Sequence, residues 1–443
     1  MRIQLSDHFS YQKLLRFTIP SISMMLITAI YGVVDGLFIS NCVGDNALSA
    51  TNIIYPLAMI IGAFGFMLGT GGSAEVAKTL GQGDRDKANQ YFSLLIYTII
   101  TIGAILSVCC IIFIHPIAIL FGASDLLMQD TVVYGTVLIS GSVAFMLQTS
   151  FQSFFVVAEK PQMGLFLSIA AGVTNMVLDF LFIYVFSWGV FGAALATVCG
   201  YLVGGIIPLF YFSRPNDSLL KLTKPQFYGK MLLKSCGNGS SEMMSNVSMS
   251  LINILFNLQM MRLVGEMGVA AICAIMYVNF VFISIFLGFV VGIAPLVSYH
   301  YGAQNHSELQ NIYKKSLVVT GIAALVMTAS AELLAEPLAN IFVGYHPRLK
   351  ELTVHGFRIF SLTYLVCGFN IFGSSFFTAL CNGKLSATIS FLRSLVFQGG
   401  LLLLFPLFWE VEGVWFSSVA AEFLAVLVTL SFLLWKRKQY HYA

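Results

Sequence analysis

The residues in this chain that could do chemistry are a few carboxylates and amides set in long apolar runs. Asp35 lies in IYGVVDGLFIS and Asp179 in GVTNMVLDFLFIYVF, with Asn175 one i,i+4 step before Asp179 on the same helical face. Thr197 lies about eight residues into the next apolar run, which travels back in the opposite direction. At about 1.5 Å per helical residue these side chains reach broadly similar depths. A carboxylate at mid-membrane costs at least about 2.5–3.5 kcal/mol on insertion scales, so its presence there points to function. Two carboxylates close together in a low dielectric do not easily both carry charge. Such a pair can take up a proton on one side and release it on the other. With Asn and Thr oxygens beside it, the same group can coordinate Na⁺. The competing reading is a buried polar pair that only fixes helix packing.

Other polar residues in apolar runs form a second tier. Pro20 falls upstream of Asp35 and removes a helix hydrogen bond there, which makes either a hinge or a static kink. Glu242 opens the run GNGSSEMMSNVSMS and reads as part of a second cation or substrate site, or as an interfacial residue. Glu422 lies deep in the last run with no partner that the sequence identifies, and Glu159 beside Lys160 reads as a solvated residue at a span end. Met243, Met244 and Met276, with Met249 and Met260 nearby, suit a cavity that repacks around varied lipophilic ligands, as do Gln148 and Phe151. Met and Phe are also ordinary lipid-facing residues. No GxxxxGK[ST] motif is present to hold ATP phosphates, the His residues show no metal spacing, and nothing suggests an enzyme or a cofactor.

The elements that position these residues follow from composition. The chain has 443 residues, 58% of them hydrophobic and 10% charged, against roughly 25% charged in an ordinary soluble domain. That balance excludes a soluble globule, a disordered chain and a secreted disulfide scaffold. A net charge of +3 without a basic stripe gives no reason to expect a nucleic-acid partner. The eight cysteines, at 42, 109, 110, 199, 236, 273, 367 and 381, form no CxxC and read as small apolar residues. The first dozen residues are polar, and the apolar stretch behind them is too long for a signal-peptide core, so it reads as a retained first span.

Runs of about 20 apolar residues mark candidate spans. They lie near 14–39, 50–73, 91–114, 131–155, 163–186 and 189–212, then near 237–261, 271–298, 316–335, 355–379, 385–408 and 413–435. If the N-terminus is cytoplasmic, 18 of the 23 basic residues fall on that side, from Arg2 to Lys438. Arg262, Arg348 and Lys350 fall opposite, while Arg358 and Arg393 lie within spans and can snorkel. Both termini are therefore expected inside.

Shifted by 221 residues, the chain matches itself in clusters. Val43-Gly44-Asp45 recurs as Val264-Gly265-Glu266, Pro116-Ile117-Ala118 as Pro337-Leu338-Ala339, and Phe155 and Ala158 as Phe376 and Ala379. Six spans per half is an even number, so the repeats are parallel, related by an axis along the membrane normal. The expected fold is all-α and integral to the membrane: twelve transmembrane helices in two six-helix bundles around a central cleft. The bundles are 1–212 and 237–443, joined by a cytoplasmic linker at 213–236. Two bundles that rock about a cleft suit a transporter.

The same residues resemble the multidrug and toxic compound extrusion (MATE) family, and within it the bacterial MepA-like branch. The resemblance covers nearly the whole chain and is carried by VDGLFISNCVGDNALSA at the end of the first span, GQGDRDKAN after the second and GAQNHSEL after the eighth. It implies a cation-coupled antiporter with H⁺ favoured over Na⁺ and no cofactor, working by alternating access. The coupling site would fall on Asp35, Asn175, Asp179 and Thr197 and the bending first helix on Pro20; any Na⁺ would use the same four residues. The expected partners are small lipophilic, often cationic drugs or dyes and membrane lipid, and the expected unit is a monomer in the bacterial inner membrane. Some branches carry a carboxylate in span ten, and FNIFGSSFFTALCNG has none. A flippase for lipid-linked precursors is one alternative, but its pyrophosphate would need several bases lining the cleft. A sensor or channel is another, and would leave the repeat unexplained.

Overall fold

In lipid a continuous apolar run satisfies its backbone as an α-helix, because each N–H finds a carbonyl within the same segment. The computed structural model of the chain follows that rule. It describes residues 3–43, 45–344 and 346–443, and no strand occurs among the described residues. Arg2 of the basic set and Gly44 of the repeated cluster lie outside them.

The first half of the chain forms α1 (Tyr11–Phe38), α2 (Asp45–Gly81), α3 (Arg85–Ile112), α4 (Ile114–Leu120), α5 (Asp125–Ser140), α6 (Ser142–Val157), α7 (Pro161–Asp179) and α8 (Gly189–Ser213). The second forms α9 (Gly229–Leu263), α10 (Glu266–Gly302), α11 (His306–Val343), α12 (Pro347–Ser361), α13 (Tyr364–Ala379), α14 (Gly383–Phe391), α15 (Gly400–Leu404) and α16 (Pro406–Tyr440). π-helical turns follow α1 (Ile39–Val43) and α7 (Phe180–Val185), and a third stretch, Leu392–Gly399, joins α14 to α15.

Among the described residues nine helical segments are long and apolar enough to cross a membrane. Two further expected spans are bent pairs, α5 with α6 at 52° and α12 with α13 at 50°. Eleven of the twelve expected spans thus have a counterpart by length and composition. The twelfth, 237–261, lies in α9, whose 35 residues are long enough to cross but whose Asn, Ser and Glu content is too polar to qualify.

The turns repeat as the sequence does. Asp84 caps α3 by accepting the Lys87 amide, and Asn305, 221 positions later, caps α11 by accepting the Glu308 amide. Gly83 and Gln304, just ahead of the caps, both have positive φ, 84° and 55°. Gln304 takes up without glycine a left-handed turn that glycine adopts freely.

The halves meet along α1 and α2 on one side and α9 and α10 on the other. Their approach depends on missing side chains. A Cβ on Gly71 would run into the Ser235 carbonyl, and one on Gly239 into the Met67 carbonyl. Lys234 and Glu75 pair across the same seam at 2.8 Å. At this end the N-terminal segment straps the halves together. The Leu5 amide donates to Glu159 Oε1 at 2.8 Å and the Phe9 amide to Glu308 Oε1 at 2.9 Å, with both side chains fully buried. Gln310 Nε2 donates to the His441 carbonyl at 3.1 Å, so both termini lie on one face of the molecule. That face is closed.

Candidate cation site in the N-terminal half

Asp35 sits one turn before the end of α1, ahead of the Ile39–Val43 π-turn, and Asp179 is the last residue of α7, directly ahead of Phe180–Val185. The two π-turns pack against each other. A π-turn adds a residue to a helical turn and re-aims the side chains beside it, a device frequent at functional sites. α8 runs back antiparallel to α7 and brings Thr197 to the same level.

The structure brings together all four residues singled out for this site. The Asp35 carboxylate lies against Asp179, Asn175 and Thr197. Asn175 Nδ2 points to Thr197 Oγ1 at 3.4 Å, and the Thr197 hydroxyl donates to the Ala193 carbonyl at 3.1 Å. The Thr197 hydroxyl is therefore spent on the backbone, and the Asn175 amide is shared between Thr197 and Asp35. Asp35 Oδ1, both Asp179 oxygens and Asn175 Oδ1 are buried with no protein donor. Asp179 is 0% exposed, whereas Asp35 is half-buried. Buried carboxylate oxygens without donors are costly, and a proton or a metal cation between them removes the deficit. Such a group has the chemistry to hold a cation.

Tyrosines lie near Asp35, and the sequence reading missed them. Tyr31, Tyr55, Tyr134 and Tyr201 come from four different helices and lie in one electrostatic neighbourhood with Asp35. Tyr201 stacks on Phe145 with centroids 4.6 Å apart. Tyr55 and Tyr277, both exposed, belong to opposite halves and are also electrostatic neighbours. The available signal was four phenol-tipped rings within apolar runs, but each stands alone in sequence.

The other candidates scatter. Gln148 lies against Tyr31, next to the pair. Phe151 is not at the cleft: it is 1% exposed and stacks on Phe212 in the core of the N-terminal half. Pro20 is buried within α1, which runs through it unbroken. Met243, Met244 and Met276 are partly buried, Met243 against the N-terminal core and Met276 against the C-terminal one. Glu242 stands on α9 within electrostatic reach of Arg393. Glu422, for which the sequence offered no partner, is held by Arg393 and Asn370, so Arg393 does not snorkel. Among the described residues no group of three or more His, Cys, Asp or Glu side chains could hold a metal ion.

Paired helical halves, a seam closed at one face and a buried carboxylate group within the apolar helices are the features of a membrane transporter. The MatE family model matches the chain twice, over residues 20–181 and 242–399, and the chain belongs to that family. The multidrug export protein MepA of Staphylococcus haemolyticus (strain JCSC1435) is 23% identical over 429 residues, covering 95% of this chain and 93% of that protein. MepA of Staphylococcus aureus (strain NCTC 8325 / PS 47) is 22% identical over 424 residues, covering 95% and 92%. A crystal structure of MATE in complex with MaL6 is similar at a TM-score of 0.91 and 22% identity, over 98% of this chain and 97% of that one. The outward-facing conformation of a multidrug resistance MATE family transporter of the MOP superfamily gives 0.91 at 23% identity, with the same coverage. The fold is that of the MATE transporters, and the family is one of multidrug efflux transporters, not enzymes.

Proposed function

We propose that the chain is a proton-coupled multidrug efflux antiporter that works by alternating access and exports small lipophilic, often cationic compounds. The observation that carries this reading is the contact between the Asp35 and Asp179 carboxylates with no protein donor between them. Two carboxylates packed against one another in a low dielectric are stabilised by one shared proton. This favours H⁺ over Na⁺ as the coupling ion. Asp35 and Asp179 bind the proton, Asn175 and Thr197 position it, and Tyr31 and Tyr55, the two of the four that are not buried, offer aromatic faces to a cationic drug. Glu242, Met243, Met244 and Met276 serve as a second tier facing the substrate.

In this reading the termini and their basic residues lie on the cytoplasmic side of a bacterial inner membrane, the molecule acts as a monomer, and Pro20 lets α1 bend when the pair changes occupancy. One charge moving through 100 mV supplies about 2.3 kcal/mol, enough to bias such an equilibrium nearly fiftyfold. Efflux of a fluorescent cation from proteoliposomes, with ΔpH and Na⁺ gradients imposed separately, tests the reading. Efflux driven by ΔpH alone and lost in Asp35→Asn is the expected result. Efflux that follows Na⁺ alone overturns the choice of ion, and unchanged efflux in Asp35→Asn overturns the site.

A further inference from the structure

Each of the three π-helical stretches lies beside a charged residue. Ile39–Val43 follows Asp35, Phe180–Val185 follows Asp179, and Leu392–Gly399 contains Arg393. The first two serve the carboxylate pair. The third lies in the other half of the chain and has no part in that site.

Arg393 is bound closely by Glu422. Its Nε donates to both Glu422 oxygens, at 2.9 and 3.1 Å, and its Nη2 lies 2.8 Å from Oε1. Glu422 Oε2 also accepts from Asn370 Nδ2 at 2.7 Å, and Asn370 Oδ1 accepts the Thr429 hydroxyl at 3.0 Å. Glu422 is 8% exposed, Asn370 and Thr429 not at all. Where three of the four Asp35 and Asp179 oxygens lack a donor, Glu422 has a donor on each oxygen, and the cation is part of the chain.

The two clusters use helices that correspond in chain order. The N-terminal group comes from α1, α7 and α8; the C-terminal cluster lies on α14 with its π-stretch and on α16, with Asn370 added from α13 and Glu242 of α9 in electrostatic reach. α7 and α14 each start just after a bent helix pair and a left-handed residue, Glu159 and Cys381, both with φ 58°. The C-terminal cluster sits one to two turns nearer the face that carries the termini.

We propose that Arg393 is a tethered cation: its guanidinium fills permanently, beside Glu422, the place that an exchangeable cation fills and leaves between Asp35 and Asp179. A guanidinium does not deprotonate in a protein and this one cannot diffuse away, so Glu422 stays neutralised through the whole cycle. The molecule then has one exchangeable cation site, not two. Removing the charge of Arg393 turns Glu422 into a second site for H⁺ or Na⁺. The comparison rests on reading the N-terminal pair as the coupling site, but the first readout is of Glu422 itself.

Infrared spectra of the purified protein in lipid nanodiscs report protonated carboxyl groups. In Na⁺-free buffer at neutral pH, Arg393→Gln is expected to add one such group. The added band is expected to vanish in Arg393→Gln/Glu422→Gln and to be absent in Arg393→Lys, which keeps a tethered cation. In proteoliposomes the double variant, whose charges cancel, is expected to keep efflux within about twofold of the parent, at the parent's number of cations per substrate. It also carries the test if Arg393→Gln alone fails to insert, because a lone buried partner is left uncompensated. An Arg393→Gln spectrum identical to the parent's overturns the proposal. So does a well-inserted double variant without efflux, which would make the pair part of substrate handling. A parent protein that couples to no cation gradient removes the antiporter reading alone, and leaves the infrared result standing.

Discussion

Thr197 touches the Asp35 carboxylate with a hydroxyl already committed to the Ala193 carbonyl, so it positions the pair more than it binds the ion. Thr197→Ala is expected to slow ΔpH-driven efflux about 2- to 10-fold without abolishing it, the worth of one hydrogen bond of about 0.5–1.5 kcal/mol. Asp179→Asn is different in kind. Its amide supplies in fixed form the donor that the pair lacks, and so imitates the occupied state. Dye binding measured by fluorescence is expected to weaken, because cation and substrate exclude each other, and coupled efflux to be lost; binding and efflux both unchanged would show that Asp179 takes no part in the exchange. At this scale the sequence was informative where chemistry is rare. A carboxylate in an apolar run is conspicuous, and Asn175 and Asp179 are linked by helical spacing alone. The tyrosine cage was hidden because it draws one ring from each of four helices. The Arg393–Glu422 pair was hidden for a related reason: its members are 29 positions apart on different helices.

The seam between α2 and α9 is set by the absence of side chains more than by charge. Glu75 is buried but Lys234 is half exposed, and an ion pair of that kind contributes about 0–1 kcal/mol. Glu75→Gln is therefore expected to have little effect on closure. Gly239→Leu places a side chain against the Met67 backbone, which cannot yield as a flexible side chain would. Spin-label distances across the face that carries the termini should lengthen in Gly239→Leu and stay near the parent's in Glu75→Gln. The opposite ranking would show that charge holds the seam. Continuous apolar runs made most of the helices legible in advance. The bends at Gly141 and at Leu362–Thr363 were not, because each interrupts the apolar run for only about three residues before it resumes. α9 was legible as a helix but carries more polar surface than an ordinary span, much of it along the seam with α2.

Across the whole molecule, the N-terminal segment joins parts of the chain far apart in sequence, through Glu159 in one half and Glu308 in the other. Opening this face requires it to let go of at least one. Phe9→Ala removes a fully buried ring, a truncation that costs about 3–5 kcal/mol in a packed core. Hydrogen exchange is expected to speed up about tenfold or more at residues 67–81 and 235–243, and to stay unchanged in α4 and α5. Uniform acceleration would mean general destabilisation, not release of a strap. The repeat was readable from clusters at one constant lag, and the capped turns at Asp84 and Asn305 obey the same interval. The strap was not readable, because its contacts are backbone amides meeting carboxylates about 150 and 300 positions away. The central claim is that the Asp35–Asp179 pair exchanges a cation for substrate, and it is tested most directly by running the transporter on substrate alone. With a dye gradient imposed across proteoliposomes and no ion gradient, the account predicts proton movement against the dye, recorded by a trapped pH indicator, and none in Asp35→Asn. Dye movement without proton counterflow in the parent, or equal counterflow in Asp35→Asn, would contradict it.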